Sequence, residues 1–303
     1  MRKWNWKKFG MAAGLALTLA AAGCGADDSA DKNADGETDY SKAVDYQVTG
    51  IEPGAGVVKA SEKAIEEYDN MKGWEVETSS SGAMATALGE AIKKKDPIVI
   101  TGWSPHWMFA KYDLKYLDDP KGVFGKAETI NTMTRKGLKD DMPNAYKVLD
   151  NFKWSKDDIE EVMLDIQDGK DPEEAAQKWI DKNKDTVDKW TKGVEKSNGE
   201  KVKLVYVEWD TEIASTNVIG KVLEDLGFKV NITPLDNAVM WKAVADGEAD
   251  GMVAAWLPAT HGDLYEQYKD DVDNLGENLE GAKIGLVVPK YMDIDSIEDL
   301  KQK

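Results

Sequence analysis

Cysteine is almost absent from this 303-residue chain; Cys24 is the single example. That excludes a disulfide framework and any zinc or iron–sulfur site built on several thiolates. Histidine is nearly as scarce, with only His106 and His261, so multi-histidine metal chemistry lacks ligands. No cofactor and no metal are expected. Basic residues are outnumbered, 39 Lys and Arg against 57 Asp and Glu, for a formal charge of −18. No nucleic-acid partner is expected, because phosphate recognition needs clustered cations. The composition, 42% apolar and 32% charged, fits neither a disordered tail, a collagen nor a polytopic membrane protein. The length suits one large or two medium domains with real cores. Against these scarcities stand eleven tryptophans, a surplus that calls for a reason.

The first residues read as an address. Arg2, Lys3, Lys7 and Lys8 precede an apolar run, Phe9 to Ala22, too short for a comfortable bilayer span. The pattern is that of a secretory signal peptide, residues 1–23. Cys24 then stands where a bacterial lipoprotein signal places its acylated cysteine. One position departs from that pattern: Ala21 occupies the place three residues before the cysteine where leucine is usual. Acylation of Cys24 would hold the protein at the membrane surface as a lipid anchor. Cleavage before Cys24 would remove four basic residues and take the charge from −18 to −22. Residues 24–43 are small and polar and read as a flexible linker behind the anchor.

The remainder divides into two similar halves. In the first, Tyr46–Ile51 is strand-like and Pro53-Gly54-Ala55-Gly56 is a turn. Val57, Val58, Ala64, Ile65 and Tyr68 then recur at helical spacing. A second helix carries Met84, Leu88, Ala91 and Ile92, and Asp96-Pro97 ends it. The short strand Ile98–Ile100 leads into Gly102-Trp103-Ser104-Pro105. In the second half, Leu204–Val207 is a strand followed by Glu208-Trp209-Asp210. A helix carries Ile213 to Leu226 with Gly227 as its stop, and strands follow at Phe228–Ile232 and Gly251–Ala255. The last of these runs into Trp256-Leu257-Pro258. Each half therefore sets Trp-x-Pro behind a buried strand, which points to two α/β lobes of related design. Residues 130–200 read as helical, with a capping box at Ser155-x-x-Asp158 and a helix start at Asp171-Pro172. Trp179 and Trp190 in this region read as packing. Lys283–Pro289 is a late strand that can return the chain to the first lobe as one leg of a hinge, with Ile130–Met133 as the other.

Ligands of α/β sheets sit beyond the carboxyl ends of the strands. Trp103, Trp209 and Trp256 all occupy such ends, so three indoles would converge on one cleft. Indole is the best aromatic partner for a cation, and three can box a quaternary ammonium, which makes no strong hydrogen bond. Gly56 and Val57 open a helix, where unpaired backbone N–H groups attract anions. His261, five residues after Trp256, could donate to a carboxylate. His106 and Trp107 read as packing or rim residues.

These residues carry a resemblance. Pro53-x-Gly-x-Gly56-Val57, Ile100-Thr-Gly-Trp103-x-Pro105-His-Trp107-Met108, Glu208-Trp209-Asp-x-Glu-Ile-Ala-Ser215 and Ala255-Trp256-Leu-Pro258-x-Thr-His261 are similar to the glycine betaine-binding lipoproteins of OpuA-type ABC importers. Gly285-Leu-Val-Val-Pro-Lys-Tyr291-Met fits as well, and the likeness runs from about Val44 to Lys301. It implies a type II periplasmic-binding-protein fold, α/β and two-lobed, with the ligand cleft between lobes. Lobe 1 would be residues 44–118 plus 283–303, and lobe 2 residues 119–282. It implies that Trp103, Trp209 and Trp256 surround a trimethylammonium group, with Gly56 and Val57 N–H and the His261 side chain holding the carboxylate. Val57 stands where a related aliphatic residue is common, and its backbone carries the role. The implied protein is an extracytoplasmic, lipid-anchored monomer, not an enzyme, that hands glycine betaine to an ABC permease and ATPase complex for osmoprotection.

Other solutes keep the cage: proline betaine, carnitine, choline or a sulfonium analogue. Choline has no carboxylate for Gly56, Val57 and His261. An exported hydrolase is a different class, but the sequence has no Gly-x-Ser-x-Gly elbow and neither histidine has a triad context. A surface adhesin or sensing domain that feeds no transporter is a third.

Overall fold

The computed structural model describes residues 38–303. The expected signal peptide, Cys24 and the linker up to residue 37 lie outside the described residues.

The chain enters through a short helix, α1 (Tyr40–Ala43), capped by the Asp39 carboxylate. This corrects the linker expectation at its last residues. Ser41 is buried and its hydroxyl accepts from the Lys301 amide, and the Tyr40 hydroxyl accepts from the Asp293 amide. Donors from the C-terminus, remote in sequence, order a segment whose composition alone reads as solvated.

The first lobe runs β1 (Gln47–Thr49), α2 (Gly56–Glu67), β2 (Glu75–Glu77), α3 (Ser81–Lys94), β3 (Ile100–Ser104), α4 (Trp107–Lys111) and β4 (Leu114–Tyr116). β1 pairs in parallel with both β2 and β3, and the helices cover the sheet as parallel crossovers require. The third strand is Ile100–Ser104 rather than 98–100, so Trp103 lies inside it.

The second lobe opens with β5 (Glu128–Arg135), a strand where the helical reading of 130–200 expected helix. Its Thr, Ile and Met side chains are buried on alternate and adjacent positions, as in a strand covered on both faces. The helices α5 (Leu138–Asp141), α6 (Pro143–Asn151), α7 (Lys156–Gln167), α8 (Pro172–Lys182) and α9 (Lys184–Trp190) follow. The Ser155–Asp158 capping box is formed, and Asp171 caps α8 ahead of Pro172. Trp179 and Trp190 stack at 5.6 Å and 12°, with Trp154 and Phe152 edge-on to them. Each such pair adds about 0.5–1.5 kcal/mol beyond area burial. These tryptophans are structural.

The lobe continues as β6 (Lys201–Tyr206), α10 (Asp210–Asp225), β7 (Lys229–Pro234), α11 (Asn237–Ala245), β8 (Gly251–Leu257), α12 (Gly262–Tyr268) and β9 (Val272–Pro289). Strand order is β2-β1-β3-β9-β5-β8-β6-β7 along one continuous path, with β4 on β9. Read from either end it is the same plan. Three parallel strands, β2-β1-β3 or β7-β6-β8, are followed by one antiparallel strand, β9 or β5. The two halves thus share a topology as well as a Trp-x-Pro turn, and the molecule is a two-lobed α/β fold of the periplasmic-binding type.

β9 belongs to both lobes. Residues up to Ala282 pair with β5, and those from Lys283 onward pair with β3 and β4. It is therefore one leg of the hinge. Ile130–Met133 is not the other leg: it lies within the second lobe's sheet, between β8 and β9. The second crossing is the stretch joining β4 to β5.

Candidate functional site

The duplicated turns bring their indoles together. Trp103 comes from β3, Trp256 from the equivalent strand β8, and Trp209 from the N-cap of α10. The peptide before the proline is cis in both turns. Trp103 and Trp209 lie 6.4 Å apart at 47°. With Trp256, Ile51, Val57, Thr260 and Ile284 they enclose about 260 Å³, part of it open to solvent. The wall carries no charged side chain.

Of the six residues expected at the site, the three tryptophans and Val57 line this cavity, while Gly56 and His261 stand behind it. Gly56 starts α2, whose N-cap Ala55 offers no side-chain acceptor, so the first-turn N–H groups face outward from the helix end uncapped. A Cβ on Gly56 would lie 2.6 Å from the Thr260 carbonyl oxygen, across the lobe boundary. Only glycine allows that approach. His261 is fully buried and stacks on Trp209 at 5.8 Å and 16°. Its Nδ1 accepts from the Trp256 amide at 3.0 Å, which assigns the proton to Nε2, and Nε2 has no protein partner. Burial, with the Lys59 charge adding to it, pushes the imidazole down to about 3, so it is neutral and a donor at Nε2.

Four carboxylates that sequence reasoning does not single out organise the site. Glu212 is buried within α10. It accepts from the Trp256 indole N–H at 2.6 Å and from the Thr211 hydroxyl, and burial pushes it up to about 7. Glu128, on β5, accepts from the Ala259 and Thr260 amides at 2.8 Å and fixes the loop after Trp256. Asp210 joins the lobes. It takes the Trp107 indole N–H at 3.0 Å, His106 Nε2 at 3.2 Å and the Ser81 hydroxyl at 3.3 Å. Burial alone would raise the Asp210 carboxyl, but hydrogen bonding and charge from His106, then Trp107 and Ser81, hold it below the ordinary range. Glu52 makes a second link, accepting from Trp209 Nε1 at 3.2 Å and the Ser81 amide at 3.0 Å. His106 and Trp107 are thus more than packing: they are the first lobe's half of a latch. Asp210 and Glu212 were visible in the sequence only as members of a motif. Ile51 and Ile284, which complete the wall, read as ordinary strand residues.

The two buried titratable groups give opposite linkage. His261 is depressed, so its stability is complete above about 6.5 and lost as pH falls toward about 3. Glu212 is raised, so its stability is complete below about 4.5 and lost as pH rises through about 7. The unfolding free energy of wild type minus that of Glu212→Gln should therefore fall as pH rises from 4.5 to 7, by up to about 1.4 kcal/mol per unit. The same difference for His261→Asn should rise over pH 3 to 6.5. Urea unfolding across pH 5–7 checks both; differences that do not vary with pH would contradict the burial of these groups.

Among the described residues, no cluster of three or more His, Cys, Asp or Glu is placed to hold a metal ion, and no helix is long and apolar enough to cross a membrane. Two lobes that meet over an indole-walled cavity with no charged side chain on its wall have the form of a solute-binding cleft.

Comparison with known proteins gives the family. Residues 11–182 and 200–303 match the family OpuAC, described as the substrate binding domain of ABC-type glycine betaine transport system. The chain belongs to this family. It is 56% identical over 272 residues, 88% of this chain and 90% of the relative, to the glycine betaine/carnitine transport binding protein GbuC of Listeria monocytogenes. Among solved structures, lactococcal OpuAC in its closed form with glycine betaine shares 65% identity over 48% of this chain and 58% of its own, with a TM-score of 0.47. An ABC-transporter choline binding protein in complex with choline shares 30% identity over 62% of this chain and 61% of its own, also at 0.47. The protein is thus an extracytoplasmic substrate-binding receptor of an ABC importer.

Proposed function

We propose that the receptor binds glycine betaine, with the trimethylammonium inside Trp103, Trp209 and Trp256 and the carboxylate on the Gly56 and Val57 amides and His261 Nε2. The observation that carries this is the pairing of an uncharged indole cavity with a buried, unpartnered imidazole donor beside it. Each indole contact contributes about 0.5–2 kcal/mol, so three supply roughly half of the 8 kcal/mol of a micromolar complex. The carboxylate clamp provides the remainder. Carnitine is the second reading. It carries both groups, and the Listeria relative is named for both solutes. Acylated Cys24 tethers the receptor as a monomer to the membrane beside its permease and ATPase. Residues 44–118 plus 283–303 form the lobe that offers Gly56 and Trp103, and residues 119–282 the lobe that offers Trp209, Trp256 and His261.

His261→Ala is the test. It should weaken glycine betaine about tenfold more than choline: both ligands lose the ring that backs Trp209 and accepts from the Trp256 amide, but only glycine betaine loses a hydrogen bond to its carboxylate. Equal losses for the two ligands in calorimetry would remove His261 from the clamp and leave the cage alone.

A further inference from the structure

A cation-binding cavity with no charged wall raises the question of what favours a cation over an equally bulky neutral group. Indole faces attract cations through their quadrupole, but they also bind neutral alkyl groups by dispersion and area burial. The acid nearest the cage is Glu212. Its carboxylate lies at the rim of the Trp256 ring, in line with the indole N–H, at 2.6 Å. The second oxygen is held by the Thr211 hydroxyl, so the group is locked in place from both sides. Glu212 is completely enclosed, as is Trp256, and among the described residues no basic side chain is paired with it. A buried, unpaired acid is costly to keep unless something uses it.

We propose that Glu212 determines the specificity of the cage: its carboxylate both sets the orientation of the Trp256 ring and, through the indole N–H, drives electron density toward the ring face that meets the ligand. The inference rests on the quaternary-ammonium reading of the cavity. A hydrogen bond from N–H to a carboxylate makes the donor more electron-rich, and in a dry site that polarisation is not screened. The carboxylate also acts directly as a buried counter-charge one ring width from the cation. Burial pushes this carboxyl up to about 7, so a cation arriving in the cavity is enough to favour its ionised form. Glu52 holds the N–H of Trp209 in a similar way but at 3.2 Å and nearer to solvent, so its effect is weaker. Trp103 has no such partner. The cage is therefore electrically uneven, and its strong wall is Trp256.

The test compares two ligands of one shape. Glycine betaine and 3,3-dimethylbutanoate share a carboxylate and a three-methyl head, but only the first is cationic. Calorimetric affinities are measured for both with the wild-type chain, Glu212→Gln and Glu212→Asp. Gln keeps a hydrogen-bond acceptor and loses the charge; Asp keeps the charge and draws back by one methylene. The wild type should prefer glycine betaine. Glu212→Gln should weaken glycine betaine about tenfold and leave 3,3-dimethylbutanoate unchanged or tighter, collapsing the ratio. Glu212→Asp should weaken both ligands and keep most of the ratio, and it carries the test should the Gln variant fail to fold. Equal losses for both ligands in Glu212→Gln would reduce Glu212 to a packing role and overturn the proposal. So would a ratio that collapses in Glu212→Asp as fully as in Glu212→Gln. A wild type that binds no quaternary amine would instead overturn the reading of the cavity itself.

Discussion

Replacing Trp256 by alanine should weaken glycine betaine binding by about 1–3 kcal/mol or more, roughly 5- to 150-fold, from loss of the cage face and its packing together. Trp256 is the wall with most to lose. It is buried and its indole N–H is held by Glu212, so the substitution also leaves that buried carboxylate without its donor, while the backbone amide that His261 accepts from is kept. A buried Trp truncated to Ala costs about 3–5 kcal/mol of fold stability as well. Thermal unfolding therefore has to be measured beside affinity. Trp103→Ala and Trp209→Ala should fall in the same range. Three folded variants with wild-type affinity would mean that the indoles are core residues and nothing more.

The second large effect is expected at a residue that never meets the ligand. Asp210→Ala should lower affinity about 10- to 100-fold, chiefly through faster release. The substitution leaves His106, which is fully buried, and Trp107 without their acceptor, and each buried unsatisfied group costs about 1–3 kcal/mol. That cost falls on the closed form alone, because these donors belong to one lobe and the carboxylate to the other. Opening the lobes returns the donors to water. The ligand contacts themselves are untouched, so the change is a shift in the open–closed balance. The Asp210 carboxyl is held below its ordinary value, so the latch is complete above about pH 3.8 and weakens as pH falls through the depressed value. Stopped-flow tryptophan fluorescence separates association from release. An unchanged release rate in Asp210→Ala would show that the lobes stay shut without the latch.

Much of this architecture is legible along the chain, because apolar periodicity and turn residues mark parallel βαβ units well. The Trp-x-Pro repeat exposed the two lobes, and the structure places both turns at equivalent strands. What was hidden depends on contacts remote in sequence. β5 reads as helix in the sequence because its buried Thr, Ile and Met residues lack strict alternation, and its strand character comes from β8 and β9 on either side, more than a hundred residues later. The end of the linker reads as solvated because its partners lie at the C-terminus. At the site, the aromatic residues could be seen because tryptophan is rare and positioned at strand ends. The carboxylates could not. In a chain with 57 acids, nothing local separates Glu212, Glu128 or Asp210 from the solvated majority. Their roles appear only when an indole N–H or a loop amide from another element points at them.

One titration tests the quaternary-ammonium cage most directly: the wild-type chain against glycine betaine, carnitine and choline, followed by calorimetry and by intrinsic tryptophan fluorescence. Glycine betaine should bind at micromolar concentration, with a change in tryptophan emission that saturates with the heat, and choline, which lacks the carboxylate, should bind more weakly. No heat and no emission change with any quaternary amine, from well-folded protein, would contradict the cage and return the three indoles to the core.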